Sequence, residues 1–138
     1  MFQKEMDSLL KEPYIATIAV GLGLFIVFAE GVTPNMLTIW NLVPVLVAYF
    51  VFKDAAKQLK IRTVSGAIGF LVFGVGFLLF AHLAWLLDWG ETRTGSSTAG
   101  LIFLFAPIWS LVLGGVGYMV GNIVGRILEN GAEKHKNE

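Results

Sequence analysis

The chain has 138 residues, of which 56% are hydrophobic and 14% are charged, and its mean hydropathy is +0.73. This composition is typical of a small, single-domain membrane protein. Ten basic and ten acidic residues give a formal net charge of zero, which argues against a nucleic-acid partner. Because the chain contains no cysteine, disulfides, thiolate catalysis and cysteine-ligated metals are excluded.

Four apolar segments, at about residues 13–30, 35–52, 65–87 and 99–125, contain no lysine or arginine. Each is long enough to cross a hydrocarbon core of about 30 Å at 1.5 Å per residue. Backbone amides in lipid must bond within their own segment, so each segment is expected to be a helix. The predicted fold is an all-α membrane protein with four transmembrane helices in an antiparallel bundle.

The basic residues predict the orientation of these spans. Nine of the ten lie before the first span, between the second and third, or after the fourth, and only Arg93 lies in the other two gaps. The positive-inside rule then places both termini in the cytoplasm, and we expect a plasma membrane, such as the bacterial inner membrane. Lys53, Lys57 and Lys60 share one face of a predicted helical extension, where anionic lipid headgroups are the expected partners.

Two short segments flank the predicted bundle, which spans residues 13–128. Residues 1–12 carry apolar side chains at helical spacing among charged ones, which predicts a helix lying on the cytoplasmic membrane surface. Residues 129–138 are charged and are interpreted as a disordered cytoplasmic tail. Asn130 and Gly131 are predicted to end the fourth helix.

Small side chains recur every three or four residues along the fourth span. Such a stripe lets helix backbones approach closely in lipid, where van der Waals contact drives association. The stripe predicts tight packing, either against another helix of this chain or, as a glycine zipper, against a second copy or partner. Its members are Ala106, Ser110, Gly114, Gly117, Gly121 and Gly125.

Polar groups and prolines in the outer halves of the spans suggest a pocket. Pro107 removes a backbone donor, which leaves the carbonyl of Phe103 free to face another group, and Pro44 has the same effect in span two. His82 is either a proton-sensitive group lining this pocket or a neutral imidazole bonded to a neighbouring helix. The candidate polar pocket comprises Asn41, Pro44, His82, Pro107 and Ser110.

Three acidic residues lie near the outer boundary: Glu30, Asp88 and Glu91. They predict an acidic outer rim, which either attracts cations or is simply the complement of the positive-inside bias.

Catalytic motifs are missing from the sequence. Residues 95–100 combine glycine and serine without forming a nucleophile elbow, and there is no phosphate loop or zinc-binding motif. We therefore predict no enzymatic activity, no catalytic residues, no cofactor and no metal site.

Two functions remain open. The first is a non-enzymatic membrane protein that oligomerises or serves as an accessory subunit, packing through its glycine-rich fourth helix. The alternative is an oligomeric ion channel or small-solute transporter with a polar pocket in its outer leaflet.

Overall fold

A computed structural model of the chain describes the backbone of residues 12–30 and 35–136, and the side chains of residues 14–30 and 35–132. Every regular element in these ranges is helical. The four main helices are α1 (Glu12–Ala29), α2 (Met36–Gln58), α3 (Ile61–Leu86) and α4 (Ile102–Lys136). Short 3₁₀ turns at Trp89–Glu91 and Ala99–Leu101 lie between α3 and α4.

Three helical stretches of the described chain are long and apolar enough to cross a membrane: Met36–Gln58, Ile61–Leu86 and Ala99–Ala132. A shorter apolar helix, Tyr14–Ala29, precedes them. These lengths and compositions are those of a multi-pass membrane protein. The surface helix predicted for residues 1–12 lies almost entirely outside the described residues.

Helix α2 begins where its sequence predicts but ends earlier than expected: it stops at Gln58, so Lys60 does not continue the helical face of Lys53 and Lys57 and instead lies at the N-cap of α3. Asn35 caps its first turn through Oδ1, which accepts the backbone N–H groups of Leu37 and Thr38, and the Thr38 hydroxyl accepts the N–H of Asn35 in return. This reciprocal pair is a capping box. The helix continues beyond the apolar segment to Gln58, and Leu59 then ends it in the left-handed conformation, with φ of 49°.

The small-residue stripe of α4 packs against α3 of the same chain. A Cβ added to Gly114 would lie 2.7 Å from the ring of Phe70, and one added to Gly125 would lie 2.5 Å from the Cα of Arg62. A Cβ on Gly121 would overlap a backbone carbonyl of α3. The residue numbers of these contacts rise along α4 as they fall along α3, so the two helices are antiparallel. Of the two kinds of packing predicted for the stripe, these contacts are the packing against another helix of the same chain.

A π-helical turn at Leu71–Val75 interrupts α3. Residues five apart lie on different sides of a regular α-helix, which has 3.6 residues per turn. The wider i→i+5 turn brings such residues back into line. Gly69 and Gly74 therefore both face α4: a Cβ on Gly74 would lie 2.8 Å from the Cα of Gly114, and one on Gly69 would overlap the carbonyl of Gly117.

Helix α4 is longer than its apolar segment. Its 35 residues correspond to about 52 Å at 1.5 Å per residue, which exceeds a hydrocarbon core by about 20 Å. The helix continues through Asn130 and Gly131 to Lys136, so these two residues do not end it and most of the predicted tail is helical. One glycine costs a helix only about 1 kcal/mol, which an otherwise helical segment tolerates.

The extension of α4 caps the start of α3. Lys60, at the N-cap position of α3, makes no side-chain capping bond. Instead, Oε1 of Glu129 accepts the backbone N–H of Arg62 at 3.0 Å. A carboxylate at a helix N-terminus satisfies a free donor and complements the helix dipole. This contact fixes the α2–α3 connection against α4.

The apolar core lies where α1, α2, α3 and α4 meet. Ile26 of α1, Val45 of α2 and Leu78 of α3 are buried together with Ala106 of α4. The end of the bundle that contains Glu30 and the α3–α4 loop is called the Glu30 end below. The opposite end, which contains the α2–α3 connection, is called the Lys57 end.

Helix α1 is less enclosed than its neighbours. Among its described side chains only Ile15, Ile26 and Ala29 are buried. Two apolar clefts, of about 130 and 350 Å³, lie between α1 and α2 and share Ala19, Val45 and Tyr49 as lining residues. Much of α1 therefore presents apolar side chains to its surroundings.

Candidate functional site

The five residues of the predicted polar pocket are among the most buried side chains of the described chain: Asn41, Pro44, His82, Pro107 and Ser110. None of them lines the α1–α2 clefts or a third cleft of about 480 Å³ between α3 and α4. These polar side chains therefore lie within the packed interior, where each must find a partner in the protein.

Asn41 links α2 to the proline break in α4. Its Nδ2 donates to the carbonyl of Leu37 at 2.8 Å and to the carbonyl of Phe103 at 2.9 Å. Pro107 has no N–H, so the Phe103 carbonyl lacks its normal helical donor. Both neighbours of Nδ2 are acceptors, which fixes the orientation of the amide. Oδ1 of Asn41 is buried and has no hydrogen-bond partner within the described residues.

Trp40 makes a second bond to the same part of α4. Its indole Nε1 donates to the carbonyl of Leu104 at 3.0 Å. Two consecutive residues of α2 thus donate to two consecutive carbonyls of α4. The sequence analysis did not predict this bond, because nothing local to Trp40 indicates which helix lies beside it.

His82 and Glu30 form a polar pair between α3 and α1. The His82 ring is fully buried, and the Glu30 side chain is only 6% exposed. Nδ1 of His82 lies 2.8 Å from the carbonyl oxygen of Leu78, and Nε2 lies 3.2 Å from Oε1 of Glu30. Glu30 follows the last helical residue of α1 and directs its carboxyl group towards α3, away from the rim in which the sequence placed it.

Aromatic rings pack beside this pair. The Phe103 ring lies 5.2 Å from the His82 ring and 4.8 Å from the Trp85 ring, measured between centroids. Since Phe103 also contributes the carbonyl that Asn41 binds, one residue of α4 contacts both polar side chains. Asn41, His82, Glu30 and Phe103 thus form one cluster at the Glu30 end, to which α2, α3, α4 and the residue that follows α1 contribute one side chain each.

Ser110 acts in a separate contact. Its hydroxyl donates to the carbonyl of Gly74 at 2.8 Å, within the π-helical turn of α3. The serine belongs both to the predicted pocket and to the small-residue stripe, and the bond accounts for its burial. Its polar group is therefore used in joining α4 to α3.

Asp88 organises the loop between α3 and α4. Its Oδ1 accepts the backbone N–H groups of Arg93 and Thr94, and its Oδ2 accepts the Thr94 hydroxyl at 2.7 Å. The bond from the Thr94 side chain, followed by that from the Arg93 backbone, holds the pKa of Asp88 below its usual range. Glu91 is exposed on the same loop. The three residues of the predicted rim thus differ in surroundings, since Glu30 lies inside the bundle.

At the Lys57 end, two of the three lysines predicted to contact headgroups, Lys57 and Lys60, are exposed. Lys53 lies over the ring of Tyr49, with its Nζ 5.7 Å from the centroid. This distance is within the range of a cation–π contact. Binding of anionic headgroups at these residues stays a prediction.

Among the described residues, no group of three or more histidine, aspartate or glutamate side chains could hold a metal ion. Comparison with protein-family models, with curated proteins and with solved structures found no match to this chain. Any role for the cluster at the Glu30 end must therefore be inferred from the geometry of the cluster itself.

Proposed function

We propose that the chain is a non-enzymatic integral membrane protein with four spans, which serves as an accessory or oligomerising protein of a plasma membrane such as the bacterial inner membrane. The alternating basic residues support cytoplasmic termini. The 18 residues of α1 support a fourth span, since they reach about 27 Å at 1.5 Å per residue, close to the thickness of the core. In this orientation the Glu30 end faces outward.

The observation that carries the proposal is that buried polar groups form hydrogen bonds within the bundle itself. One donor bond of Asn41 and the hydroxyl of Ser110 are used in contacts between helices, and the other donor bond of Asn41 goes to Leu37 within α2. The close-packing stripe of α4 is likewise occupied by α3. Contacts with other membrane proteins must therefore use lipid-facing surfaces, and α1, flanked by apolar clefts, offers the least enclosed one.

Cysteine crosslinking tests this proposal, because the chain has no native cysteine. Val20 is exposed on α1 and lines the 350 Å³ cleft between α1 and α2, whereas Val112 is exposed on α4 and lines none of the three clefts. Val20→Cys in native membranes should form an adduct of higher mass, and Val112→Cys should not. Mass spectrometry of the adduct distinguishes a second copy from a different partner. Absence of an adduct at Val20 under conditions that crosslink a known dimer would count against association through α1.

A second candidate function, solute transport, is favoured by Oδ1 of Asn41. A buried acceptor without a partner is costly, and a water molecule or a solute with an N–H or O–H donor would satisfy it. Purified protein in liposomes should then pass such a solute, and Asn41→Ala should reduce the flux. Liposomes that stay tight to ions and to a panel of small polar solutes would contradict the transport role.

A further inference from the structure

The hydrogen-bond geometry of His82 determines where its protons lie. Nδ1 contacts the carbonyl oxygen of Leu78 at 2.8 Å, and a carbonyl oxygen can only accept. Nδ1 therefore carries a hydrogen. In a neutral imidazole the other nitrogen, Nε2, must then be an unprotonated acceptor.

The atom that faces Nε2 is also an acceptor when it is ionised. Oε1 of Glu30 lies 3.2 Å away, and an ionised carboxylate has no hydrogen to donate. A neutral His82 beside an ionised Glu30 would place two lone pairs against each other. The contact becomes a hydrogen bond only when one further proton is present, on Nε2 or on the carboxyl group.

Burial makes this extra proton important. With it the pair has no net charge, either as imidazolium with carboxylate or as imidazole with carboxylic acid. Without it the pair carries one negative charge, although His82 is fully buried and the Glu30 side chain is 6% exposed. An unpaired charge in such surroundings is expensive.

Among the described residues, Glu30 forms an ion pair with no basic side chain other than His82. From α4, the ring of Phe103 packs against His82, and the carbonyl of Phe103 accepts from Asn41 of α2, whose donors are bound to two carbonyls. The apolar segments of α2 and α4, residues 36–52 and 102–125, contain no aspartate, glutamate, lysine, arginine or histidine. The nearby loop carries Arg93, exposed, with Asp88 and Glu91.

We propose that Glu30 and His82 form a binding site for a single proton, and that the bound proton holds the end of α1 against α3. Loss of the proton at higher pH leaves the lone pairs opposed, so the end of α1 moves away or admits water. The site would respond to the pH outside the membrane in the proposed orientation. This inference does not require the accessory role proposed above, which rests on the apolar clefts beside α1.

Nuclear magnetic resonance of the full chain in lipid nanodiscs tests the site. The chain has two histidines, so a His135→Gln background leaves His82 as the only ring signal. With ¹⁵N-histidine and ¹³C-glutamate labels, a titration between pH 4 and 9 should show Nδ1 protonated throughout. The signals of His82 Nε2 and the Glu30 carboxyl carbon should change in the same single step. Hydrogen exchange at the end of α1 should increase above that step.

Glu30→Gln provides the decisive variant, because the glutamine amide donates to Nε2 without needing a titratable proton. His82 should then stay neutral with Nδ1 protonated, the step should be lost, and exchange at the end of α1 should stay low at high pH. Glu91→Gln, on the exposed loop, should keep the step. The proposal is overturned if His82 carries its proton on Nε2 alone, or if Glu30→Gln titrates like the parent. If that variant does not fold, separate titration steps for His82 and Glu30 in the parent would overturn the proposal instead.

Discussion

The side-chain amide of Asn41 donates to the carbonyl of Phe103 across 2.9 Å. That carbonyl is the one which Pro107 leaves without a helical donor. A polar side chain in α2 and a proline in α4 therefore compensate for each other. In lipid no water is available to take the place of either partner, so the pair links the two helices.

Substitution of Asn41 measures this compensation. Asn41→Ala should destabilise the fold by about 1–2 kcal/mol, because two carbonyls lose a donor. In a Pro107→Ala background, residue 107 regains an N–H that can satisfy Phe103, so the same change should cost less. Unfolding by SDS titration in mixed micelles supplies the four stabilities of this double-mutant cycle. Equal costs in both backgrounds would show that the proline and the asparagine act independently.

Replacement of a glycine of α4 by alanine should change stability by an amount that depends on the side of the helix on which the glycine lies. Gly117→Ala should destabilise the protein by about 1–3 kcal/mol, since the new Cβ overlaps the carbonyl of Gly69. Gly115→Ala is the matched control, because nothing lies within 4 Å of its Cβ. That change should be neutral or stabilising by up to about 1 kcal/mol. The same SDS titration applies, and similar effects at both positions would contradict the packing of α4 against α3.

The sequence analysis predicted the parts of this fold that depend on local pattern. The start of α2 at Asn35, its continuation past Phe52, the free carbonyl of Phe103 and the small-residue stripe of α4 all follow from spacing and residue type. Each of these features is encoded within a few residues of the chain, so an isolated stretch of sequence is enough to indicate it.

Contacts between distant residues could not be predicted in the same way. Glu30 and His82 are 52 residues apart, and Glu30 was assigned to the rim because it ends an apolar segment. Only the packing of α1 beside α3 turns its carboxyl group inward. The five-residue spacing of Gly69 and Gly74 was the available sign of a π-helical turn, but it has meaning only when α4 is known to lie opposite.

Glu129 should stabilise the first turn of α3, where it accepts the backbone N–H of Arg62. Glu129→Ala removes the acceptor of the Arg62 N–H and should cost about 0.5–2 kcal/mol, the usual effect of losing an N-cap. Hydrogen exchange at Arg62 should rise with it. Glu129→Gln keeps an acceptor oxygen and should lose less stability. An unchanged exchange rate at Arg62 in Glu129→Ala would mean that this cap does not form in lipid.

The loop organised by Asp88 should loosen in acid. Bonds from Thr94 and Arg93 hold the pKa of Asp88 below its usual range, so the stabilisation is present above that range and is lost as pH falls through the lowered pKa. Hydrogen exchange at Arg93 and Thr94, corrected for its intrinsic pH dependence, should rise in acid. Asp88→Ala should show fast exchange at every pH, whereas Glu91→Gln should resemble the parent. If Arg93 and Thr94 exchange as slowly in Asp88→Ala as in the parent, Asp88 does not stabilise the loop.

Cysteine accessibility tests the proposed four-span topology most directly, since the chain has no cysteine of its own. Gly31→Cys and Ser96→Cys should react with a membrane-impermeant maleimide added outside intact cells. Gln58→Cys and Ala132→Cys should react only after the membrane is permeabilised. Reaction of Gly31→Cys on the same side as Gln58→Cys would show that α1 does not cross the membrane, and would contradict the four-span account.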